Sequence, residues 1–348
     1  MNNTASPNTI CVLRLSAIGD VCNALAAVQQ IQQGFPKAKI TWVCGKAEAR
    51  LLAIFDDIEV VVFDKSQGWR GLIALRKQLA GRRFDVLLHM QAALRASLCS
   101  LMISAKRRIG FDRARAKDGQ WLFTSEAIQI ASTPHVLDGF MQFVAQLGLT
   151  PQPPSWHVPL SEQAVTWAKQ TLGEGKHLLI CPAASKDYKN WTLDGYQQLA
   201  EYALEQGFRV SLIGSPSAKE KALSAKLSQR CQGQLNDLCG HTSLEQLWAL
   251  IQRADLLLSP DTGPAHMAVA VGTPVLGVYA HHNPKRTGPY YSQEYVVSVW
   301  QQLIEAQHQR PADQLSWRSR VKDPKAMQAI EADQVIAMFQ RIQREHQL

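Results

Sequence analysis

The chain has 348 residues, 46% of them hydrophobic and 19% charged, with a formal net charge of +8. That length accommodates two domains of ordinary size, the composition is that of a normal soluble globular protein, and no run of about 20 apolar residues occurs, so no membrane span is expected. The positive balance favours acidic partners: nucleic acid, an anionic membrane surface or a phosphorylated substrate.

The apolar run 10–15 (ICVLRL) predicts a first strand, 16–20 (SAIGD) a loop and 21–33 a helix. Strands follow at 39–43, 59–63, 86–89 and 108–111, and helices at 47–54, 71–80 and 92–103. Strict alternation of this kind argues for a parallel sheet covered on both faces. Its ligand edge is expected where the first strand gives way to helix. No GxGxxG stands there, so a dinucleotide site is not supported. An amphipathic helix over 135–147 precedes TPQPPSWHVPLS (150–161), whose four prolines in twelve residues read as a linker.

The second half restarts the same grammar. Strands are expected at 178–181, 209–213, 256–258 and 275–279, and helices at 193–205, 218–229 and 244–253. The stretch 280–291 reads as a polar loop, and 332–345 as a C-terminal helix with Val335, Ile336, Met338, Phe339 and Ile342 on one face. Seven scattered cysteines form no CxxC pair, as expected for reduced, mostly buried thiols in a cytosolic protein. The opening MNNTASPNTI lacks a basic segment followed by an apolar core, so no secretory signal is read there.

Chemistry has five candidate places. In LLLSPDTGPAHMAVAVGTPVLGVY (256–279), Asp261 and Thr262 are N-cap types and Pro264 suits a first helical turn. Free N–H groups and the positive helix end then point out of 262–265, a site for phosphate or carboxylate, and Gly263 permits close approach. His266 adds a titratable group to that turn. At 16–20, Asp20 is either a helix cap or, facing a cleft, a base for an attacking hydroxyl. In AASKDYKNW (183–191), Lys186 and Lys189 either bracket a diphosphate or are solvated loop lysines, while Trp191 and Thr192 read as an anchor and an N-cap. In KRRIGFDRARAK (106–117), six of twelve residues are Lys or Arg, either a solvated basic face or a clamp for an acidic substrate. Nucleic acid is disfavoured there, because no aromatic interleaving or recognition helix accompanies the charge. His281 and His282 lack a carboxylate or Cys at ligand spacing and read as surface or cleft-lining residues rather than a metal site.

Taken together, RLSAIGDV (14–21), RIGFD (108–112), KNW (189–191), HTSLEQL (241–247) and SPDTGPAHMAVAVGTPVLGVYA (259–280) resemble one family, the ADP-heptose–lipopolysaccharide heptosyltransferases of glycosyltransferase family 9. The resemblance runs through most of the chain. It implies an α/β GT-B fold of two Rossmann-like, doubly wound domains facing a central cleft: 1–152 for the acceptor, 153–330 for the nucleotide sugar, and 331–348 as a helix packing back on the first domain. It implies inverting, metal-independent transfer of heptose from ADP-heptose to the inner core of lipopolysaccharide, with no cofactor. Asp20 falls on the family's base and Lys189 on its phosphate-binding lysine. Ser185, Glu220, Thr242, Asp261, Thr262, Gly263, Pro264, Ala265 and His266 fall among its donor contacts. Ser16, Gly19, Arg113, Arg115 and Lys117 are expected at the acceptor. The chain departs at Ala184, where a hydroxyl is often found, and in NALAAVQQI after Asp20, which lacks a common proline. A cytoplasmic monomer in peripheral contact with the anionic inner membrane is expected, with no nucleic-acid partner. Two alternatives stand beside this: transfer from another nucleotide sugar such as a UDP-N-acetylhexosamine, and a non-catalytic glycan- or nucleotide-binding relative.

Overall fold

The computed structural model describes residues 6–348, and MNNTA, half of the stretch read for a secretory signal, lies outside the described residues. The described chain divides into two compact units, ending and starting at Pro159 and Leu160.

In the first unit β1 (Thr9–Leu13), α1 (Ile18–Gly34), β2 (Lys39–Cys44), α2 (Lys46–Leu52) and β3 (Ile58–Val62) are followed by α3 (Trp69–Gln78) and β4 (Phe84–His89). Then come α4 (Leu94–Leu101), β5 (Ala105–Gly110), the short β6 (Glu126–Ala127) and α5 (Val136–Gln146). The strands pair in the order β3-β2-β1-β4-β5-β6, all parallel, with Leu13 opposite Val43 on one side and His89 on the other. One face of this sheet (Cys11, Leu13, Val43, Leu87) packs on Leu75 and Leu79 after α3's start and on Ala96, Cys99 and Ile103 around α4.

Helix α1 is buried almost all round, from Val21 to Ile31. A helix so placed must be covered on its far side as well. The proline-rich segment supplies cover: Trp156 Nε1 donates to Cys22 O at 2.7 Å, Gln30 Nε2 to Gln152 O at 3.0 Å, and Gln29 Nε2 to His157 O at 2.7 Å. These bonds carry the first unit past the expected boundary at 152, because the segment is a strap on α1 rather than a free linker.

In the second unit α6 (Glu162–Leu172), β7 (Lys176–Ile180), α7 (Leu193–Glu205), β8 (Phe208–Leu212), α8 (Ala218–Arg230), β9 (Asn236–Asp237) and α9 (Leu244–Arg253) come first. They are followed by β10 (Leu256–Pro260), α10 (Gly263–Val271), β11 (Val275–Tyr279), α11 (Pro284–Thr287), β12 (Val296–Ser298), α12 (Trp300–His308) and α13 (Ala332–His346). The order β12-β11-β10-β7-β8-β9 is again all parallel and repeats the topology of the first sheet. Helix α6 is absent from the sequence reading: its buried stripe, Ala164, Ala168 and Leu172, is too weakly apolar to stand out.

Helix α13 begins where expected, but its apolar face belongs to the second unit. Val335, Phe339 and Ile342 are fully buried in that unit's core, with the Phe339 ring edge-on to Tyr202 and Phe208 at 5.9 and 5.2 Å. The face expected to pack back on the first domain is therefore occupied within the second. All seven cysteines are free and buried, as expected, and burial pushes the Cys44 thiol up to about 12. Among the described residues, no helix is long and apolar enough to cross a membrane.

Candidate active site

In sheets of this order, ligands bind beyond the carboxyl ends of the two central strands, where the strand order reverses. Each unit carries an ion pair at that edge, Arg14–Asp20 in the first and Lys189–Asp261 in the second.

In the first unit the edge lies between β1 and β4. Helix α1 starts earlier than the sequence suggested, so Gly19 and Asp20 sit in its first turn rather than in a loop. Ala17 is the N-cap residue and makes no side-chain cap, so Asp20 is not the capping residue. Its carboxylate instead pairs with Arg14 Nη2 and keeps 36% of its side-chain surface exposed. Arg14 is fixed by donating Nη1 to Met90 O at 2.7 Å and by lying 5.5 Å from the centre of the Phe140 ring. Gln91, just past β4, accepts from Leu15 N at 2.6 Å and donates to Ser16 Oγ at 3.4 Å. The result is a half-exposed carboxylate on a rigid mount.

The basic stretch 106–117 is mostly engaged inside the first unit. Lys106 pairs with Asp85 at 2.7 Å, Arg107 forms a two-pronged pair with Glu126 at 2.7 Å, and Arg108 donates to the carbonyls of Ser100, Ile103 and Phe123. Arg115, expected at the acceptor, is buried against Asp112 at 3.1 Å and Thr133 O at 3.1 Å. Its guanidinium supports the turn after β5 instead. Arg113 and Lys117 are exposed, with Arg113 5.6 Å from the centre of the Trp121 ring.

In the second unit the edge lies between β7 and β10. Lys189 ends a short helical turn, Asp187–Lys189, and donates from Nζ to Asp261 Oδ2 at 2.7 Å. His282 Nδ1 meets the same oxygen at 2.6 Å. Burial alone would raise the Asp261 carboxyl, but the His282 hydrogen bond and the Lys189 charge outweigh it and hold it well below the usual carboxylate range. Trp191 anchors the lysine loop, buried with Nε1 donating to Ile330 O at 2.9 Å, and Thr192 caps α7 by accepting from Gly195 N at 3.1 Å. Both were expected from sequence.

Helix α10 opens beside this cluster, with Pro264 in its first turn and Thr262 as an N-cap residue of extended backbone. The Thr262 side chain makes no capping bond, and Asp261 is held by Lys189 and His282, so neither expected cap is used. The left-handed Gly272 closes the helix. Ala265 and His266 are buried, and Gly263 is half-buried. Ser185 and Lys186 are exposed, so Lys189 alone of the two lysines joins the cluster; Thr242 is half-buried before α9. Glu220, in the first turn of α8, accepts from Ser215 N at 2.7 Å and Ser215 Oγ at 2.6 Å and so ties down the loop after β8.

The sequence reading missed His282 as part of this cluster. The two adjacent histidines diverge: His281 is buried, bonded through Nδ1 to Val321 O at 3.1 Å, with its ring 4.6 Å from that of Tyr188. The only available signal was their position just beyond the β11 strand, one strand over from Asp261.

Two doubly wound units in one chain are the architecture of solved glycosyltransferases. A family 9 glycosyltransferase from Veillonella parvula superposes with a TM-score of 0.77 at 20% identity, covering 97% of each chain. E. coli heptosyltransferase WaaC, solved with ADP, superposes with a TM-score of 0.73 at 19% identity, covering 97% of this chain and 98% of that one. The protein thus has the GT-B fold. Residues 72–316 match the model of glycosyltransferase family 9 (heptosyltransferase), and the chain is 42% identical over 340 residues to the lipopolysaccharide core heptosyltransferase OpsX of Haemophilus influenzae, covering 97% of this chain and 98% of that protein. The chain belongs to glycosyltransferase family 9, the heptosyltransferases.

Proposed function

We propose that this enzyme transfers a heptose from ADP-heptose to the inner core of lipopolysaccharide, inverting the anomeric centre and using no metal. The observation that carries the reading is the edge between β7 and β10, where the Lys189 ammonium, held by Asp261, stands beside the start of α10, which no side chain caps. A departing diphosphate gains negative charge as the glycosidic bond breaks. An ammonium group and a helix N-terminus stabilise that charge without a metal.

Asp20 accepts the proton of the attacking acceptor hydroxyl, and Arg14 keeps the carboxylate oriented. The hydroxyl oxygen attacks the anomeric carbon from the face opposite the diphosphate, and ADP leaves. Thr262, Gly263, Pro264 and Ala265 form the turn at the phosphates, with Ser185 beside them. Asp261 and His266 orient the sugar hydroxyls, and Glu220 and Thr242 lie toward the nucleoside. Ser16, Gly19, Arg113 and Lys117 serve the acidic acceptor.

The test is a release assay with purified protein, ADP-heptose and truncated lipopolysaccharide acceptors of increasing core length, scored for ADP and for acceptor mass. Gain of one heptose on one acceptor without added metal is the expected result. Failure to bind ADP-heptose would overturn the donor assignment in favour of another nucleotide sugar. In the same assay Asp20→Ala should lower turnover by roughly 10²–10⁴-fold while leaving ADP binding intact. Turnover that survives the substitution would reduce Asp20 to a partner of Arg14.

A further inference from the structure

Eight of the ten large apolar side chains exposed among the described residues lie in the first unit, between Trp69 and Ile130. They are not scattered. Helix α4 has its small and polar residues inward, with Ala96, Ser97, Cys99 and Ser100 buried, and turns Leu94, Leu98 and Leu101 outward. That spacing places three leucines on one stripe facing solvent. Helix α3 packs beside α4 on the same sheet face and exposes Trp69 and Ile73. The helical turn Gln120–Phe123, against α4 on its other side, exposes Trp121 and Leu122, the latter by 68%.

The charge around this layer has one sign. Residues 65–122 hold thirteen Lys and Arg against three Asp, and four of these cations are paired internally, Arg82 with Glu59, Lys106 with Asp85, Arg107 with Glu126 and Arg115 with Asp112. The three acids are engaged: Asp85 with Lys106, Asp112 with Arg115, and Asp118 with the backbone N–H of Leu94. Arg70, Arg76, Lys77 and Arg95 lie on α3 and α4 themselves, are exposed, and have no acidic partner among the described residues.

We propose that the outer face of α3, α4 and the 120–123 turn is a membrane-docking surface, seating its leucines and tryptophans among the acyl chains of an anionic bilayer while its arginines and lysines hold the headgroups. Apolar side chains interleaved with cations on a helical face match the interfacial pattern. A second copy of this chain is a poor occupant, since a two-fold contact through the face would oppose the unpaired cations Arg70, Arg76, Lys77 and Arg95 of one copy to those of the other. A protein partner fits less well too, because interface cores are depleted of charge, whereas here cations stand among the apolar residues. The inference rests on the reading of a lipopolysaccharide acceptor, and it places the membrane contact on this face rather than on the 106–117 stretch, most of whose charges are internally paired.

The experiment is sedimentation of the full chain with vesicles of phosphatidylcholine alone and of phosphatidylcholine carrying about 30% phosphatidylglycerol, which requires no sugar donor or acceptor. Binding to the anionic vesicles, weaker by at least about tenfold on the neutral ones, is expected. The paired substitution Leu98→Asp and Leu101→Asp should lower that binding by at least about tenfold, with an unchanged thermal melt and unchanged turnover on a delipidated, water-soluble acceptor. Arg70→Glu with Arg95→Glu, which leaves every apolar side chain in place, should remove the preference for anionic vesicles. Equal binding by the leucine variant, or no binding by the parent chain, would overturn the proposal. So would a concentration-dependent dimer that the leucine variant dissolves, which would assign the face to a second copy.

Discussion

Lys189 and Asp261 lie 72 residues apart in sequence and form a 2.7 Å ion pair at the end of the two central strands of the second unit, with both side chains largely buried. The pair, together with His282 on the same carboxylate oxygen, fixes the position of the ammonium group. A held cation is preorganised, so it stabilises developing charge without first being desolvated and reoriented.

Substitution within the pair should separate its two roles. Lys189→Met is expected to lower turnover on the order of 10²–10³-fold and to weaken ADP binding. Asp261→Asn leaves the lysine charged but no longer ion-paired, so ADP should bind at least as well while turnover falls by roughly 10²-fold. Steady-state rates and calorimetric titration with ADP check both. The lowered Asp261 carboxyl also links this site to acid stability. Its contribution is complete above the ordinary carboxylate range and is lost as pH falls through the lowered value, so Asp261→Asn should flatten the acid limb of a stability curve.

His89 offers a second pH prediction in the first unit. It is fully buried at the end of β4, where Gln120 donates its amide to His89 O at 2.8 Å and to the ring Nδ1. Gln120 Oε1 accepts from Phe111 N at 3.3 Å, which fixes the amide orientation. The ring is therefore held neutral, and burial pushes it down to about 4. The unfolded chain binds this proton near pH 6.5, so the stability is complete above that value and declines as pH falls toward 4. Over that window the loss amounts to about 3 kcal/mol. Denaturant titrations from pH 7 to 4 should show the slope in the parent chain and lose that component in His89→Gln.

Gly195→Ala should destabilise the second unit and disturb the lysine loop together. A Cβ at this position would run into the Trp191 ring, which packs edge-on to Tyr196 at 5.2 Å and is pinned to Ile330 O. Displacing the indole costs about 1–3 kcal/mol as overpacking and shifts the backbone two residues from Lys189. A lowered midpoint accompanied by weaker ADP binding is expected. A lowered midpoint with unchanged ADP affinity would show that the loop tolerates movement of its anchor.

Phe339→Ala should destabilise the chain by about 3–5 kcal/mol, since the ring is fully buried between Tyr202 and Phe208. Hydrogen exchange should place the loosening in α7 and β8 of the second unit. Loosening confined to the first unit would contradict the packing of α13.

Local pattern was sufficient to reveal most of the fold. Apolar runs such as 178–181 and 256–258 marked central strands, because a strand buried on both faces tolerates little else. The periodic helix 244–253 was legible to the residue, because Ser243 and Gln246 form a capping box at its start. The glycine, proline and hydroxyl residues at 260–264 identified a turn into a helix, and the family motifs pointed to Asp20, Lys189 and Asp261. Helix α6 and the second-unit berth of α13 were not legible, the one because its buried stripe is alanine, the other because an amphipathic face does not name its partner.

What the sequence determined by itself was therefore carried by neighbours along the chain: most of the alternation of strands and helices, the division into two similar halves and the residue types at each strand end. What only the tertiary structure decided was which charges meet. Arg115 and Lys189 are both cations in loops beyond parallel strands, yet one is buried against Asp112 three residues away and the other reaches Asp261 across the sheet edge. His282, unremarkable in a polar loop, joins that edge because β11 lies beside β10 in the sheet. Coulomb and hydrogen-bond energies depend on distances of a few ångström, and those distances are set by strand order and register rather than by separation along the chain.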